Sequence, residues 1–301
     1  MILSYLFYFL RLLPVLIINV LKKSFSPPDY VVFNLYGSYP DLRQPPLGFL
    51  QRKMKARVKS LQELSGEFQI VADDPKVKGV VLNLGNLDVS FAQIQSLARL
   101  IGNLRKAEKE VIVWATGYDT FSYYLAAAAD RILLQKGGVI STLGFASRHL
   151  YMKNALDWCG IELDVVQISP YKSALERFSR TDMSDEVWEM TEWLMDSYYS
   201  QFIETITEGR NLVEEQVEAL IQKTPLYGEE ALQAKAIDGI VNAEDLPVCL
   251  KSDDRPARLA SWDECGKKFR RPFSPPPGKY IAVLRVEGNI VDGKSQRPPA
   301  K

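Results

Sequence analysis

Two hydrophobic rhythms alternate along the middle of the chain. Short unbroken apolar runs occur at Tyr30 to Tyr36 (YVVFNLY), Gly79 to Leu84 (GVVLNL), Glu110 to Ala115 (EVIVWA) and Arg131 to Gln135. Runs of this length with few polar interruptions predict strands buried on both faces of a sheet. Between them lie stretches with apolar positions three and four residues apart, which predict helices: a polar one from about Phe49 to Val71, Phe91 to Lys106, and a short close-packed one at Tyr123 to Asp130 (YYLAAAAD). Strand and helix in turn imply right-handed βαβ crossovers, a parallel sheet covered on both faces, and chemistry at the carboxyl ends of the strands, in the loops after Leu84, Ala115 and Gln135.

Further along, Leu163 to Ile168 reads as another strand, and Ser184 to Arg210 as a long helix with Trp188, Met190, Trp193, Leu194, Tyr198 and Phe202 as core content. Asn211 to Gln222 is expected to continue as helix, Gly228 to Ala236 to form another, and Ile237 to Val241 a short strand. Residues 251–279 (SDDRPAR, then KKFRRPFSPPPG) are rich in proline and charge and read as a linker between domains.

After that linker the pattern starts again. Tyr280 to Gly288 (YIAVLRVEG) matches Tyr30 to Gly37 (YVVFNLYG), and Pro298-Pro299 echoes Pro45-Pro46. The offsets, 37 to 288 and 45 to 298, are 251 and 253 residues, a spacing that fits a duplicated domain rather than a solenoid. The expected organisation is therefore an anchor at 1–23, a domain at 29–250, a linker, and the beginning of a second copy at 280–301. The anchor is the apolar stretch Met1 to Leu21, closed by Lys22 and Lys23. About 20 residues of helix cross a bilayer core, but Arg11 costs about 3 kcal/mol and Pro14 weakens the helix, so an amphipathic helix lying in the interface competes with a span. The stretch lacks the basic leader and small-residue exit of a cleaved signal peptide.

Composition narrows the chemistry. With 301 residues and 47% apolar content the chain can build one large core, and 37 basic against 37 acidic residues give no broad attraction to polyanions, so nucleic acid is not an expected partner. Cys159, Cys249 and Cys265 have no metal-type spacing; Cys249 and Cys265 read as free thiols, with a bridge between them outside the cytoplasm as the alternative, and no metal or cofactor is expected. His149 is the only histidine, with an ordinary capping or surface role expected, so any hydrolytic chemistry needs another base.

Three stretches together resemble the protease IV (signal peptide peptidase A, SppA) family in its long tandem form: Tyr123 to Ile132 (YYLAAAADRI), Tyr171 to Phe178 (YKSALERF) with Thr181 to Ser184, and Tyr227 to Gly239 (YGEEALQAKAIDG). The resemblance covers about Tyr30 to Val241 and the restart at Tyr280. It implies an α/β fold of the ClpP/crotonase kind, a parallel sheet with helices on both faces, and an N-terminal membrane helix. It further implies a serine peptidase acting on apolar, signal-peptide-like substrates at the membrane, with active sites formed between protomers of an oligomer. In the long form the first copy gives the lysine base and the second the serine. Lys172 is the residue that matches. A lysine amine accepts a serine proton when desolvation lowers its pKa to about 7 to 8, and Tyr171, Ala174 and Leu175 are the expected apolar surroundings.

The other catalytic parts depart from the family pattern. Thr120, Phe121 and Ser122 fall where serine and two glycines belong, and Leu84 to Ser90 (LGNLDVS) replaces a Pro-Gly-Gly oxyanion turn, leaving Gly85 alone in what reads as a turn. Ser173 adjoins Lys172, but neighbouring side chains diverge. The expectation is the lysine-bearing half of a peptidase, inactive without a serine-bearing second half. The competing reading is a catalytically inactive crotonase-like scaffold; an acyl-CoA enzyme is disfavoured by the missing glycine turn. The resemblance implies an extracytoplasmic body, whereas Lys22 and Lys23 favour a cytoplasmic one.

Overall fold

The structure is a computed structural model and describes residues 25–43, 58–251 and 255–269, with Asn19, Lys22, Val283 and Leu284 besides. Ser24–Phe269 belong to one compact unit. The expected anchor and the restart at 280 fall almost wholly outside the described residues. Among the described residues no helix is long and apolar enough to cross a membrane.

Among the described residues seven strands form one sheet, in the order β5 (Leu226–Tyr227), β4 (Arg131–Ile140), β3 (Glu110–Tyr118), β2 (Gly79–Leu87), β1 (Tyr30–Gly37), β7 (Leu259–Ser261), with β6 (Gly239–Ile240) also paired to β4. The strands β1, β2, β3 and β4 are parallel neighbours in sequence order, each pair separated by a helix. These helices are α1 (Leu61–Ala72), α2 (Phe91–Lys106) and α3 (Thr120–Ala127). Their starts are set locally by capping boxes, Ser60 with Glu63, Ser90 with Gln93 and Asp119 with Ser122. Residues 58–60 lie before α1 and are not helical, so the helix expected from Phe49 is shorter at its start, and 49–57 lie outside the described residues.

The period-2 alternation within each strand decides which side chains meet which layer. Val31, Phe33 and Leu35, then Val80, Leu82 and Leu84, then Val111, Val113 and Ala115 enter the large core beneath α1, α2 and α3. Tyr30, Val81, Ile112, Trp114 and Leu133 point the other way, into a smaller core. Among the described residues that second face is covered only over its amino-terminal half, by α9 (Leu246–Cys249), Leu250 and Ala257. Asn34, Tyr36 and Thr116 are exposed on its carboxyl half, and Asn83 donates to Asn34 Oδ1 across the strands at 2.8 Å. Among the described residues the expected helices on both faces are thus complete on one face only; the other half carries the polar Asn34 and Thr116, which need no apolar cover.

The carboxyl-terminal connections hold the chief corrections. After β4 a loop leads to α4 (Lys153–Trp158), then to irregular chain through 161–168, the short α5 (Glu176–Ser179) and the 26-residue α6 (Asp185–Arg210). The strand expected at Leu163 to Ile168 is absent: with both alternating faces exposed, no neighbouring strand offers it a ladder. The helix does not run on past Arg210, because Asn211 takes a left-handed conformation (φ 51°) and ends it, and α7 (Glu214–Lys223) starts anew. Next come β5 (Leu226–Tyr227), antiparallel to β4, α8 (Gly228–Gln233) and β6 (Gly239–Ile240).

The expected linker is in part structure. Leu259–Ser261 form β7, parallel to β1, followed by α10 (Trp262–Cys265), and Cys265 and Phe269 are buried. Phe33, Trp262 and Phe269 stack in series, so the apolar residues inside this charged stretch are what draw it onto the sheet. Asp29 fastens the same segment, accepting from the Arg255 guanidinium at 2.9 and 3.1 Å and from Arg258 N at 2.8 Å.

Candidate functional site

The site begins with the direction of α6, which the carboxyl half of that helix sets. Phe202 packs on Tyr124 and Phe145, and Gly209 comes so close to α3 that a Cβ there would lie 1.8 Å from the Ala127 carbonyl oxygen. Tyr198 packs on Phe91, the first residue of α2 and so a marker of the sheet's carboxyl edge. Residues 185–197 consequently project past that edge as an arm. The aromatic positions divide accordingly: Phe202 is buried, whereas Trp188 and Trp193 are 61% and 75% exposed. The expectation that all of these belong to the core fails for the arm.

Lys172 sits in a turn held against the arm. Its N–H donates to Ser169 O at 3.0 Å, and its carbonyl accepts from Gln167 Nε2 at 3.0 Å. Tyr171 donates its hydroxyl to Glu189 Oε2 on α6 at 2.8 Å, and that carboxylate holds the phenol's pKa above its usual value. The Lys172 side chain itself is exposed, and its ammonium has no hydrogen-bond or ion-pair partner among the described residues. Tyr171, Ala174 and Leu175 are exposed too, so this chain by itself does not wrap the lysine in the apolar surroundings expected of them. The physical reason is the arm: a segment projecting beyond the sheet has no second layer of its own to cover it.

Sequence reasoning passed over Glu176, four residues after Lys172. It is one of the few buried acidic side chains, 7% exposed, and its Oε2 accepts from Ser184 Oγ at 2.7 Å. Ser184 is the N-cap of α6, its hydroxyl accepting from Val187 N. A charged residue spaced to share a helical face with its neighbours gave no sequence signal of burial.

Where a nucleophile would stand, the structure places main-chain closures. The Ser122 hydroxyl donates to Asp119 Oδ1 at 2.6 Å and accepts from Asp119 N, completing the cap of α3. Thr120 Oγ1 donates to Gly144 O at 3.0 Å and accepts from Gly144 N at 3.1 Å, which ties α3 to the loop after β4. Gly85, expected in a turn, lies inside β2, where a Cβ would approach Tyr36 Cβ at 3.2 Å, so its backbone belongs to the sheet rather than to an anion cradle. His149 is exposed and shares its Nε2 with Ser147 Oγ at 3.0 Å and Thr191 Oγ1 at 3.4 Å, a tether between the loop after β4 and the arm.

The remaining candidates are structural or unassembled. Cys159, Cys249 and Cys265 are free, and burial pushes the Cys265 thiol up to about 11. No group of three or more His, Cys, Asp or Glu among the described residues is arranged around a metal position. At the far end of α6, Arg210 is bidentate to Asp238, whose Oδ2 also accepts from Ile132 N at 2.7 Å. Burial opposes the charge on Asp238, yet the guanidinium and that N–H hold its carboxyl below the usual range.

Comparison with known proteins bears on this region. Residues 103–254, which hold α3, the Lys172 turn and the arm, match the model of peptidase family S49. Protease 4 of Haemophilus influenzae is 30% identical over 272 residues, covering 80% of this chain and 44% of that protein. Protease 4 of Salmonella typhi is 26% identical over 78% of this chain and 40% of that protein, and the chloroplastic serine protease SPPA of Arabidopsis thaliana 26% over 68% and 31%. The chain thus spans less than half the length of these relatives.

Proposed function

Because the chain belongs to peptidase family S49, we propose that it is the base-donating part of a serine peptidase in which Lys172 takes the proton of a serine supplied by another segment or protomer. The observation that carries this reading is the Lys172 turn: a backbone braced on both sides presents an amine that has no partner among the described residues, beyond the carboxyl edge of a parallel sheet, where α/β folds place their chemistry. The relatives named as proteases support the peptidase class.

An amine in water stays protonated at neutral pH and is a poor base, so the reading requires a cover. The surface around Lys172 is suited to receive one. Val166, Ile168, Trp188 and Trp193 stand exposed on the same arm and its neighbouring chain, an apolar surface of the kind that marks an interaction site. A neighbouring protomer seated there would dry the amine and bring the hydroxyl together with oxyanion donors that Thr120 and Gly85 do not supply. Apolar peptides of the signal-peptide kind, a membrane location through residues 1–23, an extracytoplasmic body and the ClpP/crotonase likeness complete the proposal and rest on the family resemblance.

The test joins this chain to a serine-bearing second half and follows hydrolysis of apolar peptides. Lys172→Ala is expected to lower kcat by at least about 10²-fold, and this chain alone is expected to hydrolyse nothing. Turnover unchanged in Lys172→Ala would remove the mechanism and favour the scaffold reading.

A further inference from the structure

Glu176 presents a puzzle that the dyad does not use. Its carboxylate is buried, and no cation among the described residues pairs with it, an arrangement that costs stability unless hydrogen bonds compensate. Those bonds all run toward one place. Oε2 holds the Ser184 hydroxyl at 2.7 Å, at the first turn of α6, and Oε1 faces Gln167 Nε2 at 3.5 Å. The same Gln167 amide donates to the Lys172 carbonyl at 3.0 Å. The Glu176 backbone closes the loop, its N–H on Ser173 O at 3.0 Å and its carbonyl receiving Arg180 N at 2.8 Å.

We propose that Glu176 is a positioning residue for Lys172: a buried carboxylate that, through Gln167 and Ser184, fixes the turn carrying the amine to the start of the arm. The proposal rests on the reading of Lys172 as the base. The turn has no strand ladder and no apolar core of its own, since Tyr171, Ala174 and Leu175 are all exposed. Its geometry therefore depends on side-chain hydrogen bonds, and a shift of about 1 Å in a proton acceptor lowers catalysis severely. Tyr171 on Glu189 supplies a second, exposed tie, weaker because water competes for both groups.

Two measurements test this together. Hydrogen exchange on the 301-residue chain compares wild type, Glu176→Ala and Glu176→Gln, and kcat and KM are measured in the protein joined to its serine-bearing half. In Glu176→Ala the amides of 169–176 are expected to exchange roughly ten-fold faster with those of β1 to β4 unchanged. In the joined protein kcat should fall by about ten-fold at nearly constant KM, and Glu176→Gln, which keeps an acceptor for Ser184, should recover most of both. Unchanged exchange in the turn, or faster exchange with kcat intact, overturns the proposal. If Glu176→Ala loses protection throughout the sheet, Ser184→Ala takes its place with the same two outcomes. Activity surviving in Lys172→Ala would overturn the underlying reading instead, and the exchange result tells the two failures apart.

Discussion

Asp29 illustrates how one side chain can fasten a distant segment, and what pH does to it. Its carboxyl, bonded to the Arg255 guanidinium and to Arg258 N, is held down to about 2 against burial, which by itself would raise it. The folded value lies below the unfolded one, so the stabilisation is complete above about pH 5 and fades as pH falls through 4 toward 2. Both arginines are about half exposed, so the contribution is on the order of 1 kcal/mol. Asp29→Asn should lower stability by about that amount at neutral pH and flatten the acid limb between pH 5 and 2. Denaturant melts across that range decide it, and an unchanged acid limb would mean that the clamp adds nothing. Lys172 belongs to this scale too: the sequence singled it out by its neighbours Tyr171, Ser173 and Ala174, but its exposure depends on how the arm projects, which no local pattern records.

Among the elements, α6 is the one on which the site depends, and its fixed point is a glycine. Gly209 is not chosen for backbone freedom; it lets α6 lie directly on the Ala127 carbonyl. Gly209→Ala must push the helices apart and is expected to cost at least about 2 kcal/mol, shifting the arm and hence the Lys172 turn. Thermal melting measures the cost, and wild-type stability in this variant would show that α3 and α6 do not touch so closely. Arg210, one residue on, ties the same helix end to Asp238, so the arm is pinned at its inner end and reaches outward from there. The β7 segment shows the opposite lesson. A stretch composed like a linker is an edge strand because Leu259, Trp262, Cys265 and Phe269 find apolar partners beside β1.

Across the described residues a well-filled core lies under α1 to α3, and exposed apolar side chains gather on the arm and on the chain that precedes it. Trp158, Val166, Ile168 and Trp193 are each at least three-quarters exposed, more than scattered surface apolar residues warrant. The expected consequence is association of the chain with itself through this surface. Sedimentation should show a mass that rises with concentration, and Trp188→Ser with Trp193→Ser should return the chain toward monomer without lowering its melting temperature. A wild-type chain that stays monomeric at high micromolar concentration would leave the lysine uncovered and weaken the base reading along with it.

The sequence by itself determined the four central strands, β1 to β4, and the presence of a helix between each pair, since four apolar runs separated by periodic helices admit few arrangements; Phe91–Lys106 is the clearest case. It also determined the family, through motifs whose chemistry is written in adjacent residues. Only the tertiary structure decided that Leu163 to Ile168 has no strand to pair with, that Gly85 lies within a strand, that β7 closes one edge, and that Glu176 is buried while the tryptophans of α6 are not. Each of these depends on a partner distant in the chain or on where a helix ends relative to the sheet. Periodicity reports which face of an element is apolar, but whether anything covers that face is settled by the assembled fold.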